Sequence, residues 1–183
     1  NSSYAGGHKT SFAVVRYGNV MGSRGSVIPF FISLKEKNEL PITHKDMTRF
    51  MISLDQGVEL VWHAFKNMIG GEIYVKKIPS MKVTDIAKVI APKAKHKIIG
   101  IRAGEKLHEQ MISLDDSSLT YEYKDYYKIL PPIYNWADDR FRIKSGTKVP
   151  KGFVYSSDNN KEWMTKFELK KWINQNYKNL DKI

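Results

Sequence analysis

Cysteine is missing altogether from the 183 residues. That excludes disulfides, thiolate metal ligands and cysteine nucleophiles, and it fits a cytoplasmic protein. No apolar run approaches the roughly 20 residues of a membrane-spanning helix, so no membrane partner is expected. The first residues, Asn-Ser-Ser-Tyr-Ala-Gly-Gly-His, lack the apolar stretch of a signal peptide. Acidic residues are few: 19 Asp and Glu stand against 30 Lys and Arg, for a net charge of +11. The lysines are scattered and do not alternate with aromatic residues in a stripe, so nucleic acid is not the expected partner. The five histidines (His8, His44, His63, His96, His108) show no metal-ligand spacing, and no metal is expected. A glycine-rich dinucleotide fingerprint is also missing, and so is a Tyr-x-x-x-Lys pair, because Tyr4 is followed four positions later by His8.

What is present is a core. Hydrophobic residues make up 42% of the chain, enough for one domain or a domain and a half. Residues 12–16 read as a continuously apolar strand of a parallel sheet. It empties into Arg16-Tyr17-Gly18-Asn19-Val20-Met21-Gly22-Ser23-Arg24-Gly25, and a helix is expected over residues 25–37, with Pro29 in its first turn. A hydrophobic strand that opens into a glycine-rich loop and then a helix is how α/β proteins present groups to a ligand at the strand's carboxyl end.

Further along, Leu40-Pro41-Ile42-Thr43 reads as an edge strand. Ser53-Leu54-Asp55-Gln56 reads as a capping box, followed by a helix with Leu54, Val58, Val61 and Phe65 on one face. Gly70-Gly71 ends that helix and Glu72-Ile73-Tyr74-Val75 is a strand. A helix over residues 83–90 points Ile86, Val89 and Ile90 inward. A strand over residues 96–101 leads into Arg102-Ala103-Gly104-Glu105, and a helix is expected over residues 105–112. Beyond Asp115 the pattern loosens: residues 118–123 alternate like an exposed strand, and residues 131–150 read as a long loop. Thr165-Lys166-Phe167-Glu168 is a second capping box, opening a terminal helix that carries Trp172 and Ile173.

Four places could carry chemistry. Asn19 can both donate and accept, which suits a sugar hydroxyl or a phosphate; it equally suits a turn. Arg24 precedes a helix, where anions are favoured, or it serves only solubility. Arg49 lies among Met47, Thr48, Phe50 and Met51; a guanidinium in such company needs a partner, either a protein carboxylate or a ligand diphosphate. Arg102 and Glu105 stand three apart at a strand end. They suit a diphosphate and vicinal ribose hydroxyls, or they pair with each other.

Several blocks carry a resemblance: Val14-Val15-Arg16-Tyr17-Gly18-Asn19-Val20 through Pro29-Phe30-Phe31, Met47-Thr48-Arg49-Phe50, Lys77-Ile78-Pro79-Ser80-Met81-Lys82, Ile98 through Glu109, and Tyr155-Ser156-Ser157-Asp158-Asn159-Asn160. Together they resemble the C-terminal part of the extended short-chain dehydrogenase/reductase family. Within it they are most similar to the inverting UDP-N-acetylglucosamine 4,6-dehydratases of nucleotide-sugar biosynthesis. The resemblance covers nearly the whole chain.

It implies an α/β fold: the C-terminal part of an NAD(P)-binding Rossmann fold with a smaller α/β substrate-binding domain. Residues 1–115 would hold the end of the Rossmann domain interleaved with the UDP-sugar-binding domain, and residues 116–183 a C-terminal extension with its terminal helix. It implies NADP near Tyr17, Val20, Met21, Gly22, Ser23 and Arg24. It implies a UDP-sugar at Asn19, Thr48, Arg49, Arg102 and Glu105, with Arg49 and Arg102 on the diphosphate and Glu105 on the ribose. The family reaction oxidises C4 of the sugar, removes water across C5 and C6, returns hydride to C6 and inverts C5. The Tyr-Lys pair, the acid-base residues and the cofactor fingerprint belong upstream of Asn1. The chain alone is therefore expected to be a fragment, inactive and poorly soluble, and homo-oligomeric when full length. A UDP-sugar epimerase or a retaining dehydratase is the competing reading. A non-catalytic binding module is suggested only by charge.

Overall fold

The computed structural model describes residues 9–132 and 140–180. In chain order the elements are β1 (Val14–Arg16), β2 (Asn19–Val20), α1 (Val27–Ser33), β3 (Glu39–Ile42), β4 (Thr48–Ile52), α2 (Leu54–Asn67), β5 (Ile73–Lys76), β6 (Ser80–Lys82) and α3 (Val83–Ile90). They continue with β7 (Lys95–Ile98), β8 (Gln110–Ile112), a 3-10 turn over Asp115–Leu119, β9 (Thr120–Glu122), β10 (Tyr126–Ile129), α4 (Arg140–Ile143), β11 (Thr147–Lys148), β12 (Tyr155–Ser156) and α5 (Lys166–Leu180). The fold is mixed α/β, and the chain weaves between two compact units, crossing at residues 17–18, 53–54, 77–78, 109–110 and 155–156.

The first unit, built from residues up to Tyr17, Leu54–Lys77 and Gln110–Tyr155, contains a five-stranded sheet in the order β1-β5-β10-β9-β11. β1 pairs parallel with β5, and the remaining pairings are antiparallel. β1 therefore lies at a sheet edge, with Phe12 and Val14 exposed rather than buried as the apolar run suggests. The strand read as exposed at residues 118–123 becomes β9, enclosed between β10 and β11, with Thr120 and Tyr121 buried.

The capped helix forms as α2, but its inward residues are Gly57, Leu60 and Ala64. Leu60 and Ala64 cluster with Tyr74, and Ala13 and Val15 pack against them. The stripe of Leu54, Val58, Val61 and Phe65 faces outward, joined by Trp62. A buried carboxylate organises the end of α2. Glu72 is fully buried and accepts from the backbone N–H of Ile69 and Gly70, while Arg142 lies 3.2 Å from its Oε1. Burial of such a charge is tolerable only with partners of this kind. Nearby, burial lowers the pKa of His63, and Lys128 lowers it further.

The second unit comprises Gly18–Ser53, Ile78–Glu109 and Ser156–Ile183. Its central sheet is β2-β4-β6, with β2 parallel and β6 antiparallel to β4. A second, parallel pair joins β3 to β7 in register from Glu39↔Lys95 to Ile42↔Ile98. The core gathers Ile28, Phe31, Leu40, Ile42, Met51, Met81, Ile86 and Leu169. Fully burying one such side chain contributes about 1.5–3 kcal/mol. α1 is shorter than the expected 25–37: it ends at Ser33, where Leu34 leaves helical geometry.

The terminal capping box forms as read. The backbone N–H and hydroxyl of Thr165 both reach Glu168 Oε2 at 2.7 Å, and the Glu168 N–H donates back to Thr165 Oγ1 at 3.2 Å. α5 then places Leu169 in the core with Trp172 and Ile173 against it. Asn160, from the block at 155–160, donates through Nδ2 to the carbonyls of Ile78 and Glu162 and to Ser80 Oγ, which ties this block to β6.

Candidate functional site

All five residues of β4, the middle strand of the sheet β2-β4-β6, are buried. The motif Met47-Thr48-Arg49-Phe50 thus brings a guanidinium inside. That guanidinium is hydrogen-bonded to the protein backbone. Nη1 donates to the carbonyls of Thr48 (2.7 Å) and Leu107 (3.1 Å), and Nη2 donates to the carbonyl of Lys106 (2.9 Å). Glu105 Oε1 lies 3.8 Å from Nη2, and Glu109 Oε1 lies 3.5 Å from Nε. A guanidinium has five N–H donors; three hydrogen bonds here go to protein carbonyls, and the two carboxylates stand at ion-pair distance. Arg49 thus holds the 105–109 loop, and it also stands in the lining of the cleft described below.

This also explains why the helix expected over residues 105–112 is not there. The carbonyls of Lys106 and Leu107, which a helix would use within itself, are taken by Arg49. Gly104, at φ 80°, turns the chain just before. The segment runs instead as a loop into β8.

Thr48 is also buried and does not line the cleft described below. Its Oγ1 lies 2.8 Å from His108 Nδ1 and 2.6 Å from Ser157 Oγ. Ser157 Oγ accepts the N–H of Glu109 at 2.9 Å, and the Ser157 N–H donates to the Glu109 carbonyl at 2.8 Å. Beside it, the Ser156 hydroxyl donates to Asp158 and holds that carboxyl below its usual range.

A cleft of about 350 Å³ opens in this unit. Its polar lining comes from Asn19 at the start of β2, Ser26 ahead of α1, Thr43 after β3, and Arg49, Arg102 and Glu105. Its apolar lining includes Phe30, Pro41, Met47, Met51 and Ile99. The strand expected over 96–101 stops at Ile98, so Ile99 and Ile101 sit exposed on the loop that carries Arg102. Arg102 is exposed, and its guanidinium has no protein partner among the described residues. Glu105 Oε2 accepts the backbone N–H of Arg102 at 3.3 Å, so the two residues are joined through the backbone rather than as an ion pair. The Ser26 hydroxyl is buried without a hydrogen-bond partner among the described residues.

Of the cofactor set, Val20 and Met21 line the cleft, and Gly22, Ser23 and Arg24 form the turn beside it. That turn is built by Ser23 N–H donating to the Val20 carbonyl, with Gly22 at φ 73° and Gly25 at φ 76°. Such a positive φ is where glycine is required. Tyr17 belongs to the other unit and is exposed. Sequence reasoning missed His108 and Ser157; the signal available was their place inside two of the five blocks. No group of side chains suited to a metal ion occurs among the described residues.

A family described as polysaccharide biosynthesis proteins has a model that matches residues 1–131. The chain belongs to that family. Relatives agree with the placement. A Campylobacter jejuni protein named UDP-N-acetylglucosamine 4,6-dehydratase (inverting) is 56% identical over 177 residues, covering 93% of this chain and 53% of that one. A UDP-glucose 4-epimerase of Rickettsia canadensis is 43% identical over 127 residues, covering 67% of this chain and 37% of its own. Among solved structures, Pen from Bacillus thuringiensis superimposes with a TM-score of 0.77 at 32% identity, over 94% of this chain and 52% of that one. This polysaccharide-biosynthesis chain spans about half the length of the curated relatives it matches.

Proposed function

We propose that the cleft binds the nucleotide of a UDP-sugar, and that the chain serves an inverting UDP-N-acetylglucosamine 4,6-dehydratase. The observation that carries the reading is Arg102. It is an exposed guanidinium without a protein partner among the described residues, beside an acceptor carboxylate and an apolar wall, in a chain 56% identical to a protein of that name. Arg102 takes the diphosphate, through the paired N–H donors that suit phosphate oxygens. Glu105 takes the ribose hydroxyls with the lone pairs that Arg102 N–H leaves open. Asn19, exposed on the opposite lining, takes a sugar hydroxyl. Arg49 acts from behind by holding the loop, and Thr48 does the same through His108 and Ser157.

The residues beside the cleft also suit a dinucleotide cofactor. Ser23 and Arg24 offer an exposed hydroxyl and an exposed guanidinium, on a glycine turn whose backbone a phosphate can approach. NADP, when bound, accepts and returns the hydride that makes dehydration of the sugar possible. Val20 and Met21 would line its side of the cleft. The enzyme is proposed to be cytoplasmic and to work as a homo-oligomer, with neither nucleic acid nor membrane as partner. No helix among the described residues is long and apolar enough to cross a membrane.

Calorimetric titration with UDP and with uridine tests the reading. UDP should bind the tighter of the two. Arg102→Ala should weaken UDP by about 1.5–3 kcal/mol, the range for a charged hydrogen bond, and leave uridine nearly unchanged. Glu105→Gln should lose discrimination between UDP and 2′-deoxy-UDP. Equal affinities of the parent chain for UDP and uridine, or an Arg102→Ala variant that binds UDP as the parent does, would overturn it. The epimerase reading, favoured by the Rickettsia relative, is separated by product: a 4-keto-6-deoxy sugar from the full-length enzyme excludes it.

A further inference from the structure

The following rests on the cleft being a UDP-sugar site. We propose that His108 is a positioning residue. As a neutral imidazole protonated at Nε2, it ends a hydrogen-bond chain through Thr48 and Ser157 that fixes the 105–109 loop against β4. The loop in turn fixes Arg102 and Glu105 at the cleft.

The direction of the chain follows from its first donor. The N–H of Glu109 can only donate, and it donates to Ser157 Oγ at 2.9 Å. Ser157 is fully buried, so its own hydroxyl proton needs an acceptor inside the protein. The acceptor in reach is Thr48 Oγ1, at 2.6 Å. Thr48 is 2% exposed, and its proton must move on in turn. It goes to His108 Nδ1 at 2.8 Å. Every proton has an acceptor only if Nδ1 carries a lone pair. If Nδ1 were protonated it would donate to Thr48 Oγ1, and either the Thr48 or the Ser157 hydroxyl proton would face no acceptor among the described residues.

The chain matters because of what else holds the same loop. Arg49, the neighbour of Thr48, binds the carbonyls of Lys106 and Leu107 and faces Glu105. Thr48, His108 and Ser157 secure residues 108–109, where Ser157 also gives its N–H to the Glu109 carbonyl. Two adjacent residues of one buried strand therefore fix successive parts of one loop. At its near end Glu105 accepts the N–H of Arg102. Loss of the far anchor should reach the cleft as a looser Glu105 and Arg102, even though His108 itself is not part of the lining.

The test compares His108→Asn with His108→Leu in the 183-residue chain. Asn can place an acceptor oxygen where Nδ1 lies; Leu cannot. Nitrogen-15 spectra of the parent at mildly alkaline pH should show His108 protonated at Nε2 and unprotonated at Nδ1. His108→Leu should exchange the Glu109 amide at least about tenfold faster and bind UDP about tenfold more weakly, and His108→Asn should stay within about twofold of the parent in both. An Nδ1–H tautomer would overturn the proposal. So would a His108→Leu variant that melts earlier yet keeps parental Glu109 exchange and UDP affinity, since that pattern belongs to plain packing. If the parent chain binds no UDP, the nucleotide reading falls. The tautomer and the exchange rate at Glu109 then decide whether the hydrogen-bond chain exists.

Discussion

Replacing Arg49 by alanine separates two roles that the sequence alone leaves tangled. If the guanidinium holds a diphosphate, its loss should cost affinity and leave the fold alone. The structure argues for the reverse. Arg49 donates to three carbonyls, and two of them, Lys106 and Leu107, lie on a loop that no helix stabilises. A hydrogen bond from a charged donor contributes about 1.5–3 kcal/mol, so two such bonds to the loop bring about 3–6 kcal/mol if additive. Lys106 is exposed, and water can replace one bond, which points to the lower end. The two carboxylates add little, because at 3.5 Å and 3.8 Å they are loosely placed and Glu109 is partly solvated. A loss of about 3 kcal/mol in a chain of this length corresponds to a fall of about 6–12 °C in Tm. UDP affinity should also fall, because the loop carries Glu105. Arg49→Lys keeps the charge but not the planar fork, and should recover less than half of the stability. Thermal unfolding followed by circular dichroism, with UDP titration on the same samples, gives both readings. A Tm within about 2 °C of the parent, far below the shift expected for this loss, together with loss of UDP binding, would refute the reasoning.

Two other perturbations follow from local geometry. A Cβ at Gly18 would overlap the Cβ of Phe50 and lie 2.8 Å from its carbonyl oxygen, a collision with backbone that no rotamer change relieves. Gly18→Ala should therefore cost about 1–3 kcal/mol in chemical denaturation, whereas Gly25→Asn, at an open left-handed position, should cost less. The second perturbation is pH. The N–H and hydroxyl of Thr165 bond to the Glu168 carboxylate and hold its pKa below the usual value. A carboxyl depressed in the folded state contributes stability that is present above its unfolded pKa and lost as pH falls through the folded one. α5 should therefore loosen at acid pH below the ordinary glutamate range. Glu168→Gln, which keeps an acceptor without the charge, should flatten that dependence in amide exchange of the first turn of α5.

Much of the fold was legible because it rests on local rules. The capping box at Thr165, the helix over 83–90 and the strand at 72–75 all form close to where periodicity and turn chemistry place them. The failures have a common cause, which is that a distant partner overrides a local preference. Residues 105–112 have good helix formers, but Arg49 claims their carbonyls from 57 and 58 positions away. The stripe Leu54, Val58, Val61 and Phe65 has ideal helical spacing, yet Gly57, Leu60 and Ala64 face the sheet. Spacing identifies a face and does not say which of two faces the nearest strand will meet. Here the buried face is the one that carries Leu60 and Ala64.

The candidate site shows the same division. The sequence singled out Asn19, Arg49, Arg102 and Glu105, and all four line one cleft. It could not rank them, because rank depends on which cation is already satisfied. A guanidinium with three donors taken by protein carbonyls has less to offer a ligand than one with none taken. Arg49 is 8% exposed and bonds to three carbonyls; Arg102 is exposed with its side chain unpaired among the described residues. The blocks Met47-Thr48-Arg49-Phe50 and Ile98 through Glu109 are thus two halves of one device. The buried cation shapes the loop, and the shaped loop presents the free one.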